Sequence, residues 1–231
     1  MASYFDLKGT TIDSFKIGKG GPNLTRSGSN IIKVNSNQII TEEVEHPGYI
    51  SNKYYTSTPL TDGFAAVSAS TTLNTITYFP FRIPRYFRMV DGSLNVTTAV
   101  TSSLFRIGIY TTNSTSFLPD TLVDGIATSS SDLSGGTTGF RTTAWFSALY
   151  MYPGWYWLAI ASNASISFTG ETSYPAYNYF MGSDTLSTTA ISYGYRNPST
   201  WVAGSTFNTT AVIDSLTTFA TGAPTLFFKA L

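Results

Sequence analysis

Two apolar segments within residues 104–162 constrain the fold more than any other feature of the chain. In Phe105–Tyr110, apolar side chains alternate with Arg106 and Gly108, which is the period of a half-buried β-strand. Trp155–Ile160 is apolar on both faces and follows a Pro-Gly turn signal, which predicts a central strand covered on both sides. Polar residues rich in Ser, Thr and Gly separate the two segments. This order predicts the core of an antiparallel β-sandwich.

The remaining composition agrees with an all-β fold. Aromatic residues make up 15% of the chain, and Thr is abundant, as expected for pleated, half-buried surfaces. Short strand signals separated by turns predict an antiparallel, jelly-roll-like sandwich. The predicted strands lie near Thr75–Phe81, Arg88–Val100, Leu104–Thr111, Thr121–Ala127, Thr142–Leu149, Trp155–Ser162, Ser165–Thr169, Tyr177–Met181 and Thr225–Lys229.

Low charge limits the partners that this chain can have. Charged residues are 11% of the total, and 13 basic residues balance 13 acidic ones, so nucleic-acid binding through phosphates is not expected. The longest apolar stretch, residues 149–161, is too short to cross a bilayer, and the N-terminus lacks the features of a signal peptide. A surface with so few charges favours association, and we expect a symmetric homo-oligomer that covers its strand edges.

Residues 1–58 differ from the rest and predict an attachment segment with a linker, followed by the sandwich in residues 59–231. Phe15–Ile17 reads as a short strand before a glycine-rich turn. The apolar runs on either side of Asn35–Asn37 predict a β-hairpin. Because a single hairpin is only marginally stable in water, we expect this segment to be held by another chain.

Several of these segments resemble the C-terminal β-sandwich modules of tailed-bacteriophage fibre and receptor-binding proteins. The matching segments are Arg106–Tyr110, Leu118–Leu122, Pro153–Ala159 and Ala223–Phe228. Phe15–Leu24, with the strand after it, resembles pieces near the start of tail-fibre proteins.

The resemblance implies a virion protein made in the host cytoplasm. It implies a homotrimer that attaches to other virion proteins through residues 1–58 and contacts a host cell-surface polysaccharide with its C-terminal domain. The chain lacks the coiled coil or repetitive shaft of long fibres, so a short fibre on tail or head is the expectation.

No constellation in the sequence indicates catalysis, a metal or a cofactor. The one histidine, His46, lies in a predicted turn, and no Gly-x-Ser-x-Gly motif occurs. Gly18–Gly21 lacks the spacing of a phosphate-binding loop. The carboxylates of the sandwich are Asp91, Asp120, Asp124, Asp132, Glu171, Asp184 and Asp214. We interpret most of them as residues that close turns.

The candidate ligand site is the aromatic segment Glu171–Trp201. Tyrosine and tryptophan rings can pack against the C–H face of a sugar while polar neighbours bond its hydroxyls. The candidate residues are Tyr174, Tyr177, Tyr179, Asp184, Tyr193, Tyr195, Arg196 and Trp201. The alternative is that these rings fill the sandwich or a subunit interface. The arginines (Arg82, Arg85, Arg88, Arg106, Arg141 and Arg196) are interpreted as interface or loop-bonding residues rather than a site for anionic glycans.

Three functions therefore stay open. The first is a non-enzymatic phage fibre that recognises a host glycan. The second is a capsid decoration or adaptor protein with a purely structural role. The third is a glycan depolymerase, which would need two carboxylates across a cleft.

Overall fold

The computed structural model describes residues 14–16, 23–26, 32–34, 37–38, 48–57, 69–70, 73–123, 132–171, 194–197, 200–212, 217–219 and 223–231. All regular secondary structure in these residues is β. The chain divides into two compact units, Met1–Gly48 and Tyr49–Leu231. The predicted all-β class and the β-sandwich are confirmed.

The first unit contains a four-stranded antiparallel sheet in simple meander order. Its strands are β1 (Ser14–Lys16), β2 (Asn23–Arg26), β3 (Ile32–Val34) and β4 (Asn37–Gln38). The strand predicted at Phe15–Ile17 is β1, and the predicted hairpin is β3 paired with β4, with Val34 opposite Asn37. The hairpin thus gains partner strands from its own unit.

The first sheet of the sandwich has seven strands in the order β10-β9-β13-β7-β16-β17, and β11 also pairs with β9. The strands are β7 (Thr75–Ile83), β9 (Leu104–Thr112), β10 (Pro119–Leu122), β11 (Leu133–Ser134), β13 (Gly154–Ser162), β16 (Gly194–Asn197) and β17 (Thr217–Phe219). The strand predicted from Trp155 is β13. It lies between β7 and β9 and is buried from Tyr156 onward, as predicted.

The second sheet has six strands in the order β5-β19-β8-β14-β6, and β12 pairs with the other side of β8. The strands are β5 (Tyr54–Thr56), β6 (Ala69–Ser70), β8 (Phe87–Thr98), β12 (Gly139–Met151), β14 (Ser167–Phe168) and β19 (Phe227–Ala230). A separate two-stranded ladder joins β15 (Gly170–Glu171) to β18 (Ala223–Pro224).

Alternating side chains of the two sheets form the core between them. Phe105 of β9 contacts Phe168 of β14 across the core, with ring centroids 5.0 Å apart. Ile107 and Ile109 follow Phe105 on this inner face, each opposite an apolar residue of β13. The predicted alternation in Phe105–Tyr110 therefore places its phenylalanine and isoleucines between the sheets.

A loop that we call the strap, residues 201–212, covers the outer face of the first sheet. Phe207 of the strap is 4% exposed and packs on Tyr110, whose hydroxyl donates to the carbonyl of Asn208 at 2.7 Å. The amide of Ala211 donates to the carbonyl of Asp120 at 2.7 Å. The strap therefore buries the outer face of the first sheet around Tyr110 and Gly108.

The structure also moves some predicted boundaries. Residues 49–57 belong to the sandwich unit, because β5 pairs with β19 and Tyr49 packs 4.1 Å from Phe87. The strand predicted at Thr121–Ala127 begins earlier, at Pro119, and the one predicted at Thr225–Lys229 is β19, which begins later, at Phe227. The strand predicted at Tyr177–Met181 lies outside the described residues.

Candidate functional site

The described residues of the predicted ligand segment make contacts within the fold itself. Trp201 is 3% exposed, and its indole N–H donates to the carbonyl of Ser205 within the strap. Tyr195 on β16 lies with its ring centroid 5.7 Å from that of Trp157, and burial raises the pKa of its hydroxyl. Arg196 follows on β16, opposite Thr77. Tyr174, Tyr177, Tyr179, Asp184 and Tyr193 lie outside the described residues.

Asp132, a carboxylate predicted to close a turn, has two partners in the structure. Asp132 accepts the Nε–H of Arg106 at 2.8 Å and the backbone N–H of Gly204, so it fixes the strap to β9. Asp91 and Asp120 lie within β8 and β10, so the prediction that they close turns is wrong. Within the described part of the chain, no group of three His, Cys, Asp or Glu residues could hold a metal ion.

Arg106 and Arg141 bond loops, as predicted for the arginines of this domain. Arg106 is 5% exposed and pairs with Asp132 in the connection before β11. Arg141 donates to the carbonyls of Ser134, Thr137 and Phe140. The guanidinium of Arg106 therefore holds the connection before β11, and that of Arg141 holds the turn before β12.

Exposed rings gather instead at one end of the sandwich, which we call the aromatic end. It consists of Tyr86, Phe117, Tyr150, Tyr152 and Trp155. Tyr86, Phe117 and Tyr152 lie in the connections from β7 to β8, from β9 to β10 and from β12 to β13. Tyr150 and Trp155 lie in the adjoining ends of β12 and β13. Strand pairing brings the connections together, since Ile83 lies opposite Gly154 and Phe87 lies opposite Met151. The rings are between 36% and 60% exposed.

The rings of the aromatic end extend from one outer face of the sandwich to the other. Tyr86 and Tyr152 occupy the middle, with ring centroids 5.3 Å apart. On the second sheet, the guanidinium carbon of Arg88 lies 5.4 Å from the ring centroid of its cross-strand partner Tyr150. On the first sheet, exposed Trp155 lies opposite exposed Arg82.

The side-chain hydroxyl of Tyr156 fixes the backbone that carries one of these rings. The buried hydroxyl of Tyr156 accepts the N–H of Tyr152 at 3.2 Å and donates to its carbonyl at 3.1 Å, which fixes the connection that carries the Tyr152 ring. Burial raises the pKa of the Tyr156 hydroxyl, so it stays protonated at neutral pH and can keep donating.

Phe117 stands in an unfavourable backbone conformation at the same end. Its φ is 57°, a region that bulky residues rarely occupy because the side chain crowds the backbone. The side-chain oxygen of Asn113 accepts the N–H groups of Thr115 and Ser116 and so stabilises this turn. Retaining an exposed phenylalanine here costs stability, which is typical of residues kept for binding.

Sequence reasoning missed the aromatic end because its rings come from separate segments. The available signal was composition: residues 150–156 contain four aromatic residues, and residues 82–88 contain three arginines. The antiparallel pairing of β7 with β13 and of β8 with β12 makes these two segments neighbours.

No protein-family model matches this chain, and no curated protein matches it. The described residues include no helix that is long and apolar enough to cross a membrane. What the aromatic end can do is therefore judged from its chemistry. Its exposed rings offer flat apolar faces with polar edges, and its guanidinium groups donate hydrogen bonds.

Proposed function

We propose that this protein is a short fibre of a bacteriophage virion, on tail or head, that recognises host-surface glycans. The N-terminal unit, Met1–Gly48, attaches it to other virion proteins, and the β-sandwich binds the polysaccharide without cleaving it. The protein acts as a homo-oligomer, with a trimer favoured by the resemblance to phage fibre proteins. The virion assignment rests on that resemblance.

The aromatic end is the observation that supports glycan recognition. Five exposed aromatic rings at one end of a well-packed domain present more apolar surface to water than is favourable for solubility. Tyrosine and tryptophan rings are suited to sugars because a sugar ring presents C–H groups on one face and hydroxyls at its edge. The Tyr86–Tyr152 pair provides such a surface, and its connection is fixed by Tyr156.

Glycan-array and host-cell binding measurements on the full chain test this proposal. The double variant Tyr86→Ala/Tyr152→Ala should reduce binding about tenfold or more, because two ring contacts of the order of 1 kcal/mol each are lost. Phe140→Ala is the matched control, since Phe140 is equally exposed but lies near the opposite end of β12. Unchanged binding by the double variant would remove the aromatic end as the site.

A capsid decoration or adaptor protein without an external ligand is the second candidate. It is favoured by the burial of Trp201, a residue of the predicted ligand segment. In that case the backbone amides of the aromatic end would become protected from hydrogen exchange on assembly with virion proteins, and no glycan would bind. Release of reducing ends from a host polysaccharide would instead favour a depolymerase and contradict both candidates.

A further inference from the structure

The aromatic end is also the site of an unusual concentration of positive charge. Three of the seven arginines of the chain lie within residues 82–88. No Asp or Glu occurs in residues 82–88, 113–118 or 150–156, which supply the connections at this end. In a chain whose total charge is zero, these three segments carry a net charge of +3.

Each outer face contributes an arginine next to an exposed ring. Arg88 lies over the ring of Tyr150. Arg82 lies opposite Trp155 in the ladder between β7 and β13, and both residues are exposed. Arg88 differs in this from Arg106 and Arg141, whose donors are engaged by the carboxylate of Asp132 and by loop carbonyls.

The position of Arg88 favours a planar anion as its partner. A guanidinium that lies over an aromatic ring is oriented by that ring, while its N–H groups remain directed outward in the plane of the group. Two parallel N–H groups match the two oxygens of a carboxylate, and this bidentate pair is stronger than a neutral hydrogen bond. Tyr150 therefore prepares Arg88 to accept a carboxylate next to the stacking surface of Tyr86 and Tyr152.

We propose that the aromatic end binds acidic saccharides through a sugar carboxylate. This proposal rests on the proposed glycan-binding function and names the class of sugar. The ring of the sugar packs on Tyr86 and Tyr152, and its carboxylate accepts hydrogen bonds from Arg88. A stretch of three arginines is too short to bind a polyanion by charge alone, so the stacked ring and the single carboxylate act together.

Calorimetric titration of the full chain with matched oligosaccharides tests the proposal. Sialyllactose and the trimer of galacturonic acid are compared with lactose and galactotriose, which lack the carboxylates. We expect the acidic sugars to bind at least about tenfold more tightly, and this preference to fall as salt is added.

Variants of Arg88 then locate the carboxylate. Arg88→Gln should remove about tenfold of the affinity for acidic sugars and leave any neutral-sugar binding unchanged, and Arg88→Lys should recover only part of the loss. Lys229→Gln is the matched control, because Lys229 lies over the ring of Tyr54 elsewhere on the second sheet, with its amine 5.9 Å from the ring centroid. An equal loss in Lys229→Gln would show a diffuse charge effect and overturn the role of Arg88.

The outcomes separate this inference from the proposed function. Binding of neutral and acidic sugars with equal affinity overturns the inference and leaves the glycan-binding function intact. Equal binding of a sulfated trisaccharide overturns the preference for a carboxylate. If none of these saccharides binds the protein, both the inference and the glycan-binding function are overturned.

Discussion

The close approach of Phe207 to Gly108 yields a quantitative test of how the strap covers the first sheet. A Cβ atom built on Gly108 would lie 2.7 and 2.8 Å from two ring carbons of Phe207 and 3.3 Å from a methyl group of Leu122. Gly108 lies within β9, where alanine is conformationally acceptable, so the Phe207 ring is the main obstacle. Glycine at this position therefore allows the ring of Phe207 to seat on the sheet.

Gly108→Ala should lower the free energy of unfolding by about 1–3 kcal/mol, because the added methyl group displaces a well-packed ring. Phe207→Ala should lower it by about 3 kcal/mol, since the buried ring leaves a cavity on the outer face of the first sheet. In the Phe207→Ala background the methyl group has room, and Gly108→Ala should become neutral or slightly stabilising. The two substitutions should therefore be coupled by about 1–3 kcal/mol.

Urea unfolding of the four proteins of this double-mutant cycle measures the coupling energy. Val202→Ala is the control within the same strap, because Val202 is 59% exposed and its truncation should cost less than about 0.5 kcal/mol. Additive effects, within about 0.5 kcal/mol, would refute the contact between Phe207 and Gly108.

Three further outcomes follow from described contacts. Asp132→Asn should lower the free energy of unfolding by about 3 kcal/mol, because Arg106 is 5% exposed and would lose its carboxylate partner. Thermal unfolding measures this loss, and a value below about 1 kcal/mol would contradict the prediction. Burial raises the pKa of Tyr78 from 10 to about 12 and also raises the pKa of Tyr110. These protonated hydroxyls therefore add stability that is complete below pH 10 and is lost as the pH rises towards 12. Urea unfolding midpoints, measured together with phenolate absorbance, should fall over this pH range, and they should fall less in Tyr78→Phe. Phe117→Gly should raise the free energy of unfolding by about 0.5–1 kcal/mol by relieving its positive φ, while weakening any binding at the aromatic end; a loss of stability in urea unfolding would argue against the strain.

The strands could be predicted because their signals are local. Alternation in Phe105–Tyr110 and the two apolar faces of Trp155–Ile160 depend only on neighbouring residues, and β9 and β13 lie where these patterns indicate. The strap could not be predicted, because nothing in residues 201–212 has a regular period and its position depends on Phe207 meeting Gly108 far away in the sequence. The burial of Trp201, a predicted ligand residue, could not be predicted for the same reason. A ring that makes a long-range contact has no distinguishing pattern in the sequence around it.

The strap covers the outer face of the first sheet around Gly108 and Tyr110, which restricts where partners can bind the sandwich. The second sheet keeps an outer face whose polar side chains bond one another, as Ser93 does with Thr142 at 2.8 Å and Asn95 with Thr169 at 2.8 Å. Away from Arg88 and Tyr150, these neutral polar pairs make the face suited to packing between copies. If copies associate there around an axis along the strands, every aromatic end points the same way. Several weak sugar contacts would then act on one polysaccharide, and dilution to monomers should lower the apparent affinity by a factor on the order of 100 or more without altering the affinity for a single oligosaccharide.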